Sequence, residues 1–308
     1  LLVMGGALAV RHLILSGQPG NSEPFVREFN VFATYGRLTF WASRSTAGQA
    51  ADRIVAKLQL LHNRINVFDP DSELSKLNEN AFIRPFHCSD ELWHLLTACR
   101  DAHEATNGAF DPTVGPLMKL WGFHGDRQTY PDESAVRKAR RAVGLDKVVF
   151  DEVAQTVRFT HAETYLDLGG IAKGYALDLA RQVADEYGIR TGMIDLGGNI
   201  ACLPAPPPGR EGYRVGIRDP SDPGQLVERV HVIDRCIATS GNYENVRRIE
   251  GKIVHHIVDP ETGYPVPNVS SVTAITPRGV DSDTFATAVF VGGEALARLL
   301  TTRVPRTS

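Results

Sequence analysis

Cysteine is scarce in this sequence and unorganised: Cys88, Cys99, Cys202 and Cys236 form no C-x-x-C pair and stand at no histidine spacing typical of zinc. A zinc module or a disulfide scaffold is therefore not expected, and the four read as mostly buried thiols. An excess of positive charge is missing too. The 33 Lys and Arg against 36 Asp and Glu leave a formal net charge of -3, and the basic residues are dispersed. That balance argues against nucleic acid as a partner and leaves room for a compact anionic ligand. Beyond the first ten residues no stretch reads as long and apolar enough to cross a bilayer. The composition, 43% hydrophobic and 22% charged over 308 residues, is not that of a disordered chain and fits one large domain or two interleaved ones.

Leu1 to Val10 is apolar, rich in small residues and followed by Arg11 and His12. It reads either as the surviving part of an export-signal hydrophobic region or as a short buried helix. Ser16 to Glu23 is a polar Gly/Pro linker. The expectation is that residues 1–23 are a remnant of an export signal with its linker and that residues 24–308 form the functional domain. The protein would then be exported, periplasmic or associated with a membrane through its N-terminus; a cytoplasmic location is the alternative.

Phe29 to Ala42 reads as a strand or hairpin, and Thr46 to Ile65 as a helix with Ile54, Leu58, Leu61 and Ile65 inward and Ser45 or Thr46 as cap. The loop Asp69-Pro-Asp-Ser-Glu73 precedes a helix from Ser89 that Asn107-Gly108 closes. Pro131 to Val143 predicts a short basic helix and Lys147 to Thr160 two short strands. Thr164 to Gly198 reads as strand, glycine turn, helix and strand, with Ile171, Tyr175, Leu179, Val183 and Tyr187 as the buried stripe and Asp178, Arg181, Gln182 and Asp185 facing water. Strands follow at Tyr213 to Arg218, Val227 to Ile233, Cys236 to Thr239, Ile253 to Val258 and Val269 to Thr276, and a last helix begins around Asp283. Many sequential strands among helices predict an α+β, or mixed α/β, fold.

Four constellations could carry chemistry. In Asp167-Leu-Gly-Gly-Ile-Ala-Lys-Gly174 the glycines allow close backbone approach, amides at a helix start and Lys173 suit phosphate, and Asp167 can accept from a ribose or a heterocyclic N–H. The plainer reading is a strand-to-helix turn capped by Asp167. In Asp281-Ser-Asp283-Thr-Phe-Ala-Thr287 the oxygens of Asp283 and Thr287 share one helical face, a hard-donor pair suited to magnesium, or simply first-turn acids answering the helix dipole. In His255-His256-Ile-Val-Asp259-Pro-Glu-Thr-Gly263 strand alternation lets only one histidine face a site, where it could take a proton from a hydroxyl. Ala238-Thr-Ser-Gly-Asn-Tyr243 permits close approach around Ser240, or is a bare loop. Phe68 and Phe110 could meet a ring system or fill a core.

The order of these motifs is more specific than any one of them. Asp-Ser-Glu-Leu-Ser from Asp71, Phe-Asp-Pro-Thr-Val-Gly-Pro-Leu from Phe110, the Asp167 string, Leu-Gly-Gly-Asn-Ile from Leu196, Thr-Ser-Gly-Asn-Tyr from Thr239, His-Ile-Val-Asp-Pro-Glu-Thr-Gly from His256 and Asp-x-x-x-Thr from Asp283 together resemble the ApbE family of FAD:protein FMN transferases. The resemblance runs from about Phe29 to Leu300. It implies a T-fold-like architecture with two interleaved subdomains. It also implies a magnesium-dependent enzyme that splits FAD, joins FMN by a phosphoester to a Thr or Ser of an acceptor flavoprotein, and releases AMP.

By that resemblance Gly170 through its carbonyl, Asp283 and Thr287 would hold Mg2+. Asp167 and Lys173 would contact FAD, Ala109, Phe110 and Asp111 would line the flavin site, and His256 would be the base, with Lys173 the second catalytic group. Phe32, Phe68, Ser240 and Ile257 complete the expected flavin-binding set. Two positions depart from the family pattern: Phe68 stands where many relatives carry a stacking tyrosine, and Phe32-Ala-Thr34 where they often have Met-Gly-Thr. The alternatives are an FAD pyrophosphatase that uses water in place of the acceptor and a flavin-binding protein without turnover.

Overall fold

The computed structural model describes residues 23–125, 129–222 and 224–303; the export-signal expectation for the first residues lies outside the described ones. A hairpin of β1 (Phe25–Val31) and β2 (Thr34–Phe40) leads into helix α1 (Arg44–Ile65) and the short α2 (Glu73–Asn80). Strands β3 (Phe86–His87), β4 (Val148–Asp151) and β5 (Thr156–Phe159) form a small sheet around helices α3 (Asp90–Ala105), α4 (Gly115–Leu120) and α5 (Glu133–Arg140). Helix α6 (Ala172–Glu186) precedes β6 (Gly192–Leu196) and β7 (Asn199–Cys202). Two hairpins follow, β8 (Tyr213–Arg218) with β9 (Leu226–Val232) and, after β10 (Arg235–Gly241), β11 (Val246–Ile249) with β12 (Lys252–His255). The described chain closes with β13 (Ser271–Thr276) and α7 (Gly279–Arg303).

The central sheet has the order β1-β2-β6-β7-β10-β13, every pair antiparallel. Strand alternation decides what each face buries. Ile194, Ala201 and Cys236 point to the face covered by α1 and α6, where they meet Ile54, Leu58 and Leu177. Their sequence neighbours Met193, Cys202 and Ile237 point to the other face, beneath Tyr213, Val215 and Val232 of the β8–β9 hairpin. The Tyr213 hydroxyl pins that hairpin, donating to Ala205 O and accepting from Gly192 N, both at 2.7 Å. All four cysteines are buried free thiols, as their apolar settings in the sequence led one to expect.

Several elements differ from expectation for identifiable reasons. The cap of α1 is Ser43, whose hydroxyl accepts from Thr46 N at 3.1 Å, rather than Ser45 or Thr46. Part of the anticipated loop after Asp69 is helix α2, capped by Ser72 on Ser75 N at 3.0 Å. The strand expected before Asp167 is reduced to one bridge between Val114 and Tyr165, with Asp167 N donating to Pro112 O at 2.8 Å. Ile171 and Val183 of the expected stripe are buried, together with Ala176, Leu177, Ala180 and Ala184, whereas Tyr175, Leu179 and Tyr187 are half-buried. Small side chains on that face bring α6 close to its neighbours.

Helix α7 begins four residues before Asp283. It is capped from α6, where Asp178 accepts from Gly279 N at 2.6 Å and Val280 N at 2.9 Å, so Asp178 is turned inward and not toward water. Broken at Gly293 (φ 67°, ψ -160°), it nevertheless has the length and apolar composition of a bilayer span, contrary to expectation for this stretch. Yet it packs on α6, β10 and β13 with Ala286, Ala288 and Phe290 buried, which is the setting of a core helix.

Candidate functional site

The glycine bend and the start of α7 meet at backbone distance. A methyl group placed on Gly174 would stand 2.3 Å from Gly279 O and 2.7 Å from Asp283 Cβ, so only glycine fits there. The approach lets Gly174 N donate to Asp283 Oδ2 at 2.8 Å. Since α6 has no side-chain cap of its own, Asp283 of α7 caps α6 just as Asp178 of α6 caps α7. Asn199, in the turn into β7, donates to the other oxygen, Asp283 Oδ1, at 2.7 Å.

One turn along α7, Thr287 Oγ1 lies 3.1 Å from Ser240 Oγ on β10. A methyl group on Gly170 would be 3.5 Å from Thr287 Oγ1 and 3.3 Å from the Phe110 ring. Gly170, Asp283, Thr287, Ser240 and Phe110 thus share one locus. Burial pushes the carboxyl of Asp283 up from its usual range, and the nearby Lys173 charge and the hydrogen bonds only partly offset this. Its carboxyl is thus short of positive charge at the locus it shares with the Thr287 hydroxyl and Gly170.

Among the described residues no three His, Cys, Asp or Glu side chains cluster as a metal site. A cation held here would rely on one carboxylate and neutral oxygens, with further positions for water or phosphate, which is the coordination habit of magnesium. The amide cradle expected from the bend is largely spent inside the protein. Gly169 N donates to Asp167 Oδ1 at 2.7 Å, and Ile171 N and Ala172 N both go to Leu168 O. Anion attraction at this bend therefore falls to the half-buried side chain of Lys173, whose charge acts on Asp283, His256 and also Glu244, a carboxylate the sequence reading passed over.

Asp167 is anchored rather than free. Burial pushes its carboxyl up, but His124 Nε2 at 2.7 Å from Oδ2 and the Gly169 amide outweigh burial and hold it below the usual range. The segment before it is fixed by Asn78, whose amide exchanges two hydrogen bonds with the Leu166 backbone at 3.0 and 2.7 Å. Neither His124 nor Asn78 carries a local signal, since their partners are 43 and 88 residues away. Replacing Asn78 by Ala strands a buried N–H and C=O, so Asn78→Ala is expected to cost about 3 kcal/mol. Thermal unfolding should show a Tm lower by roughly 5–10 °C; a change of about 1 °C would contradict the anchoring.

The two histidines of the β12 turn divide as alternation requires. His255 Nε2 donates to Val266 O at 2.9 Å and its Nδ1 accepts from Ile257 N, so it is committed to the turn. His256 lies 3.3 Å through Nδ1 from Asn245 O. A carbonyl only accepts, so Nδ1 carries the proton and Nε2 keeps its lone pair. Burial pushes the imidazole down to about 4, with the charges of His255 and Lys173 adding to it, so the ring is neutral near pH 7.

The aromatic and loop positions differ in what they offer. Phe68 is 69% exposed, an open ring face edge-on to His124 at 5.4 Å. Phe110 is buried beside Gly170. Asp111 accepts through Oδ1 from Thr113 N at 2.8 Å and Thr113 Oγ1 at 2.5 Å, with Oδ2 3.7 Å from His103 Nδ1, and Ala109 abuts Gly292 of α7. Phe32 sits at φ 50° in the β1–β2 turn with its ring against His62 at 5.5 Å. Ile257 is buried with Val266 and Phe290, so its side chain is core, and its backbone is held in the turn by His255 Nδ1 and Val266 N.

With this geometry described, the comparisons are informative. A family model, that of the ApbE family, matches residues 32–306. The FAD:protein FMN transferase of Treponema pallidum is 34% identical over 288 residues, 87% of this chain and 80% of that protein. The crystal structure of the ApbE protein of Thermotoga maritima is similar with a TM-score of 0.84 at 30% identity, over 91% of both chains. The flavin transferase ApbE of Vibrio cholerae gives a TM-score of 0.78 at 27% identity over 92% of both chains.

Proposed function

The chain belongs to the ApbE family, and on that premise we propose that it is a magnesium-dependent FAD:protein FMN transferase. The observation that carries the reading is the convergence of Gly170, Asp283 and Thr287 beside Lys173, brought together from two stretches of sequence more than a hundred residues apart. Bound there, magnesium would supply positive charge to the diphosphate of FAD. Asp283 and Thr287, with the Gly170 carbonyl, are the oxygens that would hold it.

Lys173 lies on the first turn of α6, where its ammonium attracts the diphosphate and opposes the charge that builds on the phosphoryl oxygens during transfer. Asp167 fixes the bend that carries Lys173, through the Gly169 amide. Phe68 offers a face to the isoalloxazine, and Phe110 backs the bend from beneath. A Thr or Ser hydroxyl of the acceptor attacks the phosphorus on the riboflavin side. The anhydride bond breaks, AMP leaves with the bridging oxygen, and the hydroxyl proton passes to the free Nε2 of His256.

Incubation with FAD, magnesium and an acceptor domain should leave flavin fluorescence on the acceptor through denaturing electrophoresis. Failure to label any of several acceptors, with AMP released in their absence, would move the reading to hydrolysis. His256→Ala removes the proton acceptor and leaves the metal and ring contacts, so kcat is expected to fall about a hundredfold while FAD affinity stays within about twofold. An equal loss in affinity would make His256 a ligand contact instead.

A further inference from the structure

His124 is a buried polar group that the chemistry above leaves without a task. It follows α4, with 7% of its side chain exposed, and donates from Nε2 to Asp167 Oδ2 at 2.7 Å. Its ring lies edge-on to Phe68 at 5.4 Å and tilted against Tyr165 at 5.9 Å. Nδ1 is the one buried side-chain nitrogen or oxygen among the described residues with no hydrogen-bond partner. With Nε2 donating to Asp167, the neutral ring would present a bare lone pair at Nδ1, the form in which the orphan atom accepts. Native interiors rarely leave such an atom unpaired without a reason.

We infer that His124 is a flavin-binding residue, whose Nδ1 accepts a hydrogen bond from an N–H or O–H on the flavin half of the substrate. The inference rests on the flavin reading above and deepens it. Three features of the structure point the same way. Phe68 gives an open ring face beside His124, so a flavin stacked there brings its polar edge within reach. Asp167, held by the Gly169 amide on Oδ1, fixes through Oδ2 the edge of the histidine ring opposite the orphan atom. That clamp also orients the ring before any ligand arrives. The oxidised isoalloxazine carries one N–H, at N3, and the ribityl chain carries hydroxyls; the AMP half of FAD is not addressed.

The test compares the whole chain with its His124→Gln and His124→Asn variants, titrated with FMN, N3-methyl-FMN and AMP by fluorescence and calorimetry. Gln keeps a donor where Nε2 meets Asp167 but has no acceptor at Nδ1, so its Kd for FMN is expected to rise about tenfold. AMP affinity and Tm should not change. Asn keeps an acceptor near Nδ1 and should lose less, about threefold, which a purely structural role would not produce. If N3–H is the donor, N3-methyl-FMN binds wild type and Gln equally weakly; if a ribityl hydroxyl is the donor, the difference between them persists. Wild-type FMN affinity in the Gln variant, or an equal loss for AMP, overturns the inference while leaving the transferase reading intact. Failure of the wild-type protein to bind FMN or FAD at all overturns that reading instead.

Discussion

Asp283→Asn is expected to abolish turnover of FAD without unfolding the protein. The amide is the size of the carboxylate, and its oxygen can still accept from Gly174 N, so α6 keeps its cap; its NH2 then faces Asn199, whose side-chain amide must turn over to accept from it. What is lost is the negative charge beside Thr287 and the Gly170 carbonyl, and with it the strongest oxygen donor the site offers a divalent cation. Loss of one strong electrostatic contribution to the transition state commonly costs about 10²–10³ in rate. AMP release and acceptor labelling should both fall by at least about a hundredfold, and added magnesium should no longer stimulate either.

Stability should move the other way. The carboxyl of Asp283 is pushed up in the folded state, so the native protein holds this proton more tightly than the unfolded chain. That contribution to stability is present at low pH and is lost as pH rises through the folded pKa, above which the buried charge is a cost. The Asn variant, free of that charge, should have a Tm equal to or above wild type in metal-free buffer. A lower Tm with normal turnover would remove Asp283 from the site and make it a helix cap only.

What could be read from the sequence follows the range of the forces involved. Helices α1 and α3 were legible because Leu and Ile recur at helical spacing behind a serine cap, which is local information. Helix α2 was hidden because eight residues after Asp69-Pro-Asp look like a continued turn, and the cap at Ser72 shows itself only in the fold. The inner face of α6 is legible only in part: Ile171 and Val183 are buried as expected, but alanine is nearly silent in an apolar pattern, while Tyr175 and Tyr187, louder in sequence, lie at the edge.

The candidate site divides in the same way. Gly170, Asp283 and Thr287 emerge through the order of motifs and a family resemblance; spacing alone leaves Gly170 in a strand-to-helix turn and Asp283 as a first-turn acid of a helix. Asn199 was quoted within a motif, yet its bond to Asp283 spans 84 residues. His124 lies between a phenylalanine and a glycine, in a setting with no pattern at all. The amides of the glycine bend, which looked free for a ligand, turned inward because a buried turn must satisfy its own donors.

A pair of identical substitutions puts the helix contact at the site to a quantitative test. Gly48 lies within α1 with nothing within 4 Å of an added Cβ, so Gly48→Ala gains helix propensity at no steric cost. It is expected to stabilise the protein by about 0.5–1 kcal/mol. Gly174→Ala gains the same propensity on the first turn of α6 but drives its methyl to 2.3 Å from Gly279 O, a backbone atom that cannot rotate away. Helices α6 and α7 must separate. The move stretches the bond from Gly174 N to Asp283, withdraws Asp178 from the start of α7, and carries Asp283 and Thr287 away from Gly170. Overpacking of this kind costs about 3 kcal/mol. Urea unfolding should therefore rank Gly48→Ala above wild type and Gly174→Ala well below it, and a Gly174→Ala protein that remains folded should be as inactive as Asp283→Asn. Equal midpoints for the two variants would mean that the close helix approach does not hold the site together.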